Sequence, residues 1–216
     1  MRFYIDSADI STLEALCKTG VFYGVTTNPL ILRQAGVKMD QLPSFAERVF
    51  AMGAKELFFQ SWGEDAAALE KHGQMVVGIS EKVVVKLPAT KEGLEASARL
   101  AKAGSRVCVT AVYASYQALL AASVGASYAA PYLGRMNDAG RDGHGLIAQM
   151  SEALRSTGSR CEILAASVRS PEDIARLASK SVRCITISPP LAEKLFAERL
   201  TLEATKAFEA AAKELA

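Results

Sequence analysis

The strongest constraint in this sequence is a unit that recurs eight times along its 216 residues: a short apolar, β-branched run, a polar loop, then a stretch with helical spacing. The strand candidates are Phe3–Asp6, Tyr23–Thr26, Glu56–Gln60, Val83–Leu87, Val107–Thr110, Ser127–Pro131, Glu162–Ala166 and Cys184–Ile187. Eight such units in this length fit a closed parallel barrel better than an open sheet, because closure leaves no strand edge exposed. The expected fold is α/β, a (β/α)8 TIM barrel forming a single domain over residues 1–216.

Local signals agree with this division. Asp9 precedes Leu13 and Leu16, Gly20 closes the first helix, and Pro171 opens the helical stretch Glu172–Ala178 as a first-turn proline does. Beyond the eighth unit, Leu202–Ala216 carries Leu202, Thr205, Phe208, Ala212 and Leu215 at helical spacing. This additional C-terminal helix has no place in the barrel proper. It either packs across the barrel's bottom or reaches over a neighbouring subunit.

Composition narrows the function classes. Half of the residues are hydrophobic and 22% are charged, a balance that supports a packed core. The 25 basic and 23 acidic residues are interspersed, so nucleic acid is not an expected partner. Asp6 comes too early for a secretory apolar core, and no apolar run reaches the ~18 residues of a membrane span. A cytoplasmic protein without a membrane partner is expected. Cys17, Cys108, Cys161 and Cys184 are widely separated, as are His72 and His144, so neither set has the spacing of a local zinc site. The cysteines read as buried free thiols, and no metal or cofactor is implied.

Active sites of such barrels lie at the C-terminal ends of the strands, so polar residues there carry the most information. They are Asp6 after the first strand, Thr26, Thr27 and Asn28 after the second, Gln60 after the third and Lys86 in the fourth. Thr110 ends the fifth, Tyr132 and Arg135 follow the sixth, Ser167 and Arg169 the seventh, and Ser188 the eighth. Lys86 is the sharpest of these, because it interrupts Val83-Val84-Val85 and Leu87 in a strand otherwise suited to complete burial. A buried ammonium without a partner tends to lose its proton, and a neutral amine attacks carbonyls. The alternative is a structural ion pair with Asp6 inside the barrel.

Asp6, Gly24-Val25-Thr26-Thr27-Asn28-Pro29, Val84-Val85-Lys86-Leu87-Pro88, Thr110-Ala111-Val112-Tyr113, Ala130-Pro131-Tyr132 and Leu164-Ala165-Ala166-Ser167 together resemble the transaldolase family. More narrowly they are similar to its short fructose-6-phosphate aldolase branch, in the right order and over nearly the whole length. The resemblance implies a class I aldol mechanism, in which the lysine matching Lys86 forms an imine with a ketose carbonyl and the C3–C4 bond is cleaved. Release of the enamine as dihydroxyacetone completes an aldolase cycle on fructose 6-phosphate. Its capture by an aldose phosphate completes a transaldolase cycle, with sedoheptulose 7-phosphate or fructose 6-phosphate as donor. A catalytically silent sugar-phosphate-binding scaffold is the non-enzyme alternative.

The resemblance also suggests roles. Transaldolases of the family typically carry glutamate and phenylalanine where this chain has Gln60 and Tyr132, whereas the aldolases carry glutamine and tyrosine. Tyr132 is then the candidate acid–base group, acting directly or through a water held by Gln60 and Thr110. Either residue is otherwise a hydrogen-bonded rim residue. Asp6 and Asn28 suit substrate hydroxyls, and Asp6 is also a catalytic candidate that shuttles protons or sets the ionisation of Lys86; otherwise they are respectively a strand-end carboxylate or helix cap and a turn residue. Thr26 joins them in the substrate-binding set. Positions matching Arg135 and Ser167 bind phosphate in the family; Arg169 either adds to them or is a solvated side chain. The aldolase branch forms decamers in which C-terminal helices reach across neighbours, so a homo-oligomer is expected.

Three features depart from the family pattern. Trp62 follows Gln60 and either narrows the mouth or packs against a helix, His144 sits in an expected glycine-rich loop with Gly140, Gly143 and Gly145, and Ser188 ends the eighth strand.

Overall fold

In the computed structural model, which describes residues 1–215, the eight apolar runs form strands that close into one parallel barrel in chain order. The first half runs β1 (Arg2–Asp6), α1 (Ile10–Cys17), β2 (Phe22–Thr26), α2 (Pro29–Gln34), α3 (Leu42–Ala51), β3 (Glu56–Gln60), α4 (Ala66–Val77), β4 (Val83–Pro88) and α5 (Lys91–Lys102). The second half runs β5 (Val107–Val112), α6 (Ser115–Ser123), β6 (Tyr128–Pro131), α7 (Leu133–Asp138), α8 (Gly143–Ser156), β7 (Glu162–Ala165), α9 (Pro171–Ala178), β8 (Cys184–Ile187), α10 (Pro189–Leu195) and α11 (Arg199–Glu214).

Two units carry an extra helix, and the second corrects the sequence reading. The glycine-rich segment around His144 is not a loop: Asp142 accepts a hydrogen bond from the Gly145 backbone and starts α8, with His144 in its first turn. A capping aspartate outweighs the flexibility of two glycines when the following helix is long enough to pack.

Alternation along the strands sorts the barrel interior into three levels. Arg2, Glu56, Arg106 and Glu162 stand at the strand starts. Glu56 is buried, accepts hydrogen bonds from Tyr4 Oη at 2.7 Å and Tyr128 Oη at 3.0 Å, and pairs with Arg106, while Arg2 pairs with Glu162. Two residues further on, Tyr4, Phe58, Val84, Cys108, Tyr128, Leu164 and Cys184 fill the middle with apolar surface. Two residues further again come Asp6, Gln60, Lys86, Thr110, Ala166 and Thr186. The intervening residues, among them Ile5, Leu57, Val85, Val109 and Ile185, belong to the apolar layer shared with the helices. One period of two thus builds an ionic base, an apolar filling and a polar top.

The C-terminal helix begins at Arg199, three residues earlier than expected, because the Glu198 side chain caps it. None of its described residues is buried: Leu200, Phe208 and Leu215 are 62%, 73% and 89% exposed. It therefore does not pack across the barrel's own bottom. Ala216, included in the expected helix, lies outside the described residues. Among those residues, no helix is long and apolar enough to cross a membrane.

Candidate active site

A cavity of about 160 Å³ opens at the C-terminal ends of the strands, and Lys86 is in its wall. The lysine is 6% exposed, flanked in the sheet by Gln60 on β3 and Cys108 on β5. Its Nζ donates to the Thr27 carbonyl at 2.8 Å. That carbonyl is well fixed, since both the Thr27 amide and its Oγ1 donate to the Phe58 carbonyl, at 3.0 and 2.8 Å. Among the described residues no carboxylate forms an ion pair with Lys86, so the structural pairing with Asp6 is not formed.

The run Thr26-Thr27-Asn28-Pro29 divides its work by position. Thr26 Oγ1 donates to Asp6 Oδ1 at 2.7 Å and lies 2.6 Å from Thr186 Oγ1, so a Thr186 hydroxyl that donates to Thr26 leaves the Thr26 proton for Asp6. Thr27 anchors the lysine. Asn28 caps α2, its Oδ1 accepting from the Leu30 and Ile31 amides at 2.9 and 3.0 Å, with Pro29 at the first helical position. Asn28 is thus a helix cap rather than a plain turn residue, and it also lines the cavity.

Across the cavity, Tyr132 Oη lies 2.9 Å from Thr110 Oγ1. The tyrosine ring is held edge-on to Tyr113 at 5.6 Å, and the Arg135 guanidinium covers it at 4.9 Å. The nearby Tyr113 hydroxyl raises the Arg135 pKa, with partial burial opposing it. Arg135 and Ser167 both line the cavity.

Backbone strain gathers here. Ala111, next to Thr110 at a break in the β5–β6 register, has φ 58°, and Ser167 has φ 57°. Left-handed backbone at a non-glycine residue costs about 1–3 kcal/mol and persists only where neighbours hold it. Ser167 is held by the Gly134 amide, which donates to its carbonyl at 2.9 Å. A Cβ at Gly134 would lie 2.6 Å from that carbonyl, so only glycine admits the contact.

Asp6, Thr26, Asn28, Lys86, Thr110, Tyr132, Arg135 and Ser167 thus share one cavity. Other residues singled out in the sequence do not line it. Gln60 stands beside Lys86 in the sheet but outside the cavity wall. Arg169 pairs with Asp138, its Nη1 at 2.7 Å, and is 56% exposed. Trp62 stacks on His72 at 3.7 Å and lines a separate apolar groove with Pro29, Leu32 and Met39, so it packs against α4. Ser188 is exposed at the start of α10. The β8 contribution is instead Thr186, which sequence reasoning passed over. Its signal was parity: Thr186 lies two residues beyond Cys184, on the inner face, whereas Ser188 lies past the strand end.

Comparison with known proteins identifies the family. The profile described as Transaldolase/Fructose-6-phosphate aldolase matches residues 3–216. A protein named probable transaldolase from Brevibacillus brevis is 36% identical over 202 residues, covering 93% of this chain and 92% of its own. Namesakes from Methanococcus maripaludis strain C7 and Phenylobacterium zucineum are each 33% identical, covering 93% and 96% of this chain and 92% and 94% of theirs. Among solved structures, a mandelate oxidase variant bound to 2-hydroxy-phenylacetamide superposes with a TM-score of 0.60 at 16% identity. It covers 88% of this chain, which spans 65% of that structure, and the likeness is one of fold alone. With matches that run the length of the barrel, this chain belongs to the transaldolase/fructose-6-phosphate aldolase family and is an enzyme of that type.

Proposed function

We propose that the enzyme is a Schiff-base aldolase that cleaves fructose 6-phosphate reversibly to dihydroxyacetone and glyceraldehyde 3-phosphate. The observation that carries this reading is the buried Lys86 amine in a cavity that also holds the Thr110–Tyr132 hydroxyl pair. The amine adds to C2 of the ketose, water leaves, and an iminium forms on Lys86. Loss of the C4 hydroxyl proton then breaks the C3–C4 bond, and the electron pair is held as the enamine while the aldehyde departs. Protonation at C3 and hydrolysis return the amine. Tyr132 is the group assigned to proton transfer, oriented by Thr110. Gln60, beside Lys86 and without a titratable proton, serves at most to place water. Asp6, Thr26 and Asn28 hold hydroxyls, and Arg135 with Ser167 holds the phosphate, with Arg169 acting on that site only through the loop it anchors.

A second reading, transaldolase, is favoured by the names of the relatives. Both share the imine and differ in the fate of the enamine. Turnover of fructose 6-phosphate with and without erythrose 4-phosphate separates them: free dihydroxyacetone without acceptor supports the aldolase, and turnover only with acceptor supports the transaldolase. Borohydride reduction in the presence of dihydroxyacetone tests the step common to both, which requires the adduct on Lys86 and its loss in Lys86→Met. For assembly, a homo-oligomer is the reading supported by α11, whose apolar residues find no cover on their own barrel.

A further inference from the structure

The His144 ring lies mostly buried in the first turn of α8, with Nε2 2.9 Å from Asp173 Oδ1. The other oxygen of Asp173 accepts from the backbone amides of Arg169 at 3.3 Å and Ser170 at 3.2 Å. Burial works to raise the Asp173 carboxyl, yet the bonds from His144 and the loop amide bring it below the usual carboxylate range. One carboxylate therefore joins α8 to the backbone two and three residues beyond Ser167.

The same loop is tied on its other side to α7, through Gly134 to the Ser167 carbonyl and through Arg169 to Asp138. Ser167, in its left-handed conformation, is thus held between two tethers. His144 Nδ1 is buried with no partner among the described residues. An apolar side chain would fill the space without that penalty, so packing alone does not account for histidine here.

We infer that the His144–Asp173 pair is a positioning device for the anion-binding loop, holding Ser167 in its strained turn within the cavity that contains Arg135 and so setting affinity for the substrate phosphate. The inference rests on the reading of Arg135 and Ser167 as the phosphate site. The pair takes no part in bond making, since neither residue lines the Lys86 cavity.

The test uses full-length enzyme in the synthesis direction, with dihydroxyacetone as donor and either glyceraldehyde 3-phosphate or glyceraldehyde as acceptor. His144→Ser is too short to reach Asp173 and suits a first helical turn, His144→Ala removes the contact without adding a hydroxyl, and His144→Gln keeps an N–H for Asp173. Both short variants should raise KM for the phosphorylated acceptor about tenfold, the scale of one lost charge-assisted hydrogen bond, with kcat within about twofold. KM for glyceraldehyde should not move, inorganic phosphate should inhibit correspondingly less, and His144→Gln should restore most of the affinity. Equal shifts for both acceptors, a loss confined to kcat, or no rescue by glutamine overturns the inference. A wild type that discriminates between the acceptors while the short variants do so equally well overturns it alone. A wild type with no preference for the phosphorylated acceptor overturns it together with the phosphate-site reading.

Discussion

Tyr132 Oη and Thr110 Oγ1 stand 2.9 Å apart on the same cavity that holds the Lys86 amine, and the two side chains come from neighbouring strand ends. Each hydroxyl can donate one hydrogen bond and accept others, which is the property the proposed proton-transfer role of Tyr132 needs. Tyr132→Phe keeps the ring that packs on Tyr113 and under Arg135 and removes only this hydroxyl. Cleavage of fructose 6-phosphate should fall by about 10²–10⁴-fold, the usual contribution of general acid–base catalysis, while borohydride labelling at Lys86 persists. Labelling lost in parallel with turnover would place Tyr132 in imine formation instead.

Arg135 stacks on Tyr132 as well as facing the cavity, so its removal has two separable effects. Arg135→Ala should weaken binding of phosphorylated substrates by at least about tenfold, as expected for loss of a guanidinium–phosphate contact, and largely spare non-phosphorylated ones. Comparable losses for both classes would assign Arg135 to support of the tyrosine ring.

At the opposite end, Glu56 gathers Tyr4, Tyr128 and Arg106 into the base of the barrel. Arg106 is partly exposed and stays hydrated without its partner, whereas the buried Tyr4 and Tyr128 hydroxyls lose their acceptor. Glu56→Ala should destabilise the fold by about 1–3 kcal/mol, the cost of leaving buried donors unsatisfied, read from chemical denaturation. Steady-state parameters at temperatures where the variant is folded should stay near those of the wild type, because the apolar middle level separates Glu56 from Lys86.

The exposed α11 yields a prediction about assembly. Ending the chain at Glu198 deletes Leu200, Leu202, Phe208 and Leu215, none of which supports its own barrel. Light scattering should show a smaller assembly, with the unfolding midpoint of the barrel itself changed little. A wild type that is already monomeric, or an assembly unaffected by truncation, would refute the homo-oligomer reading.

The sequence by itself determined the eight-unit barrel and the residues facing its interior, because strand parity is a local property: side chains two residues apart share a face whatever surrounds them. That rule takes Val84 to Lys86, Cys108 to Thr110 and, on the last strand, Cys184 to Thr186. The incongruity of a lysine in an apolar strand was equally legible, since it needs no knowledge of neighbours. Partners were not. The sequence leaves Arg169 between an anion site and solvent, and the fold brings Asp138 to it from 31 residues away; it leaves Trp62 between the cavity mouth and helix packing, and α4 offers the His72 ring. Likewise, His144 read as part of a loop until Asp142 capped α8 and the next unit supplied Asp173. Only the tertiary structure decided these, because a polar side chain follows the partner that folding places within hydrogen-bond distance, and that choice lies between elements far apart in the chain.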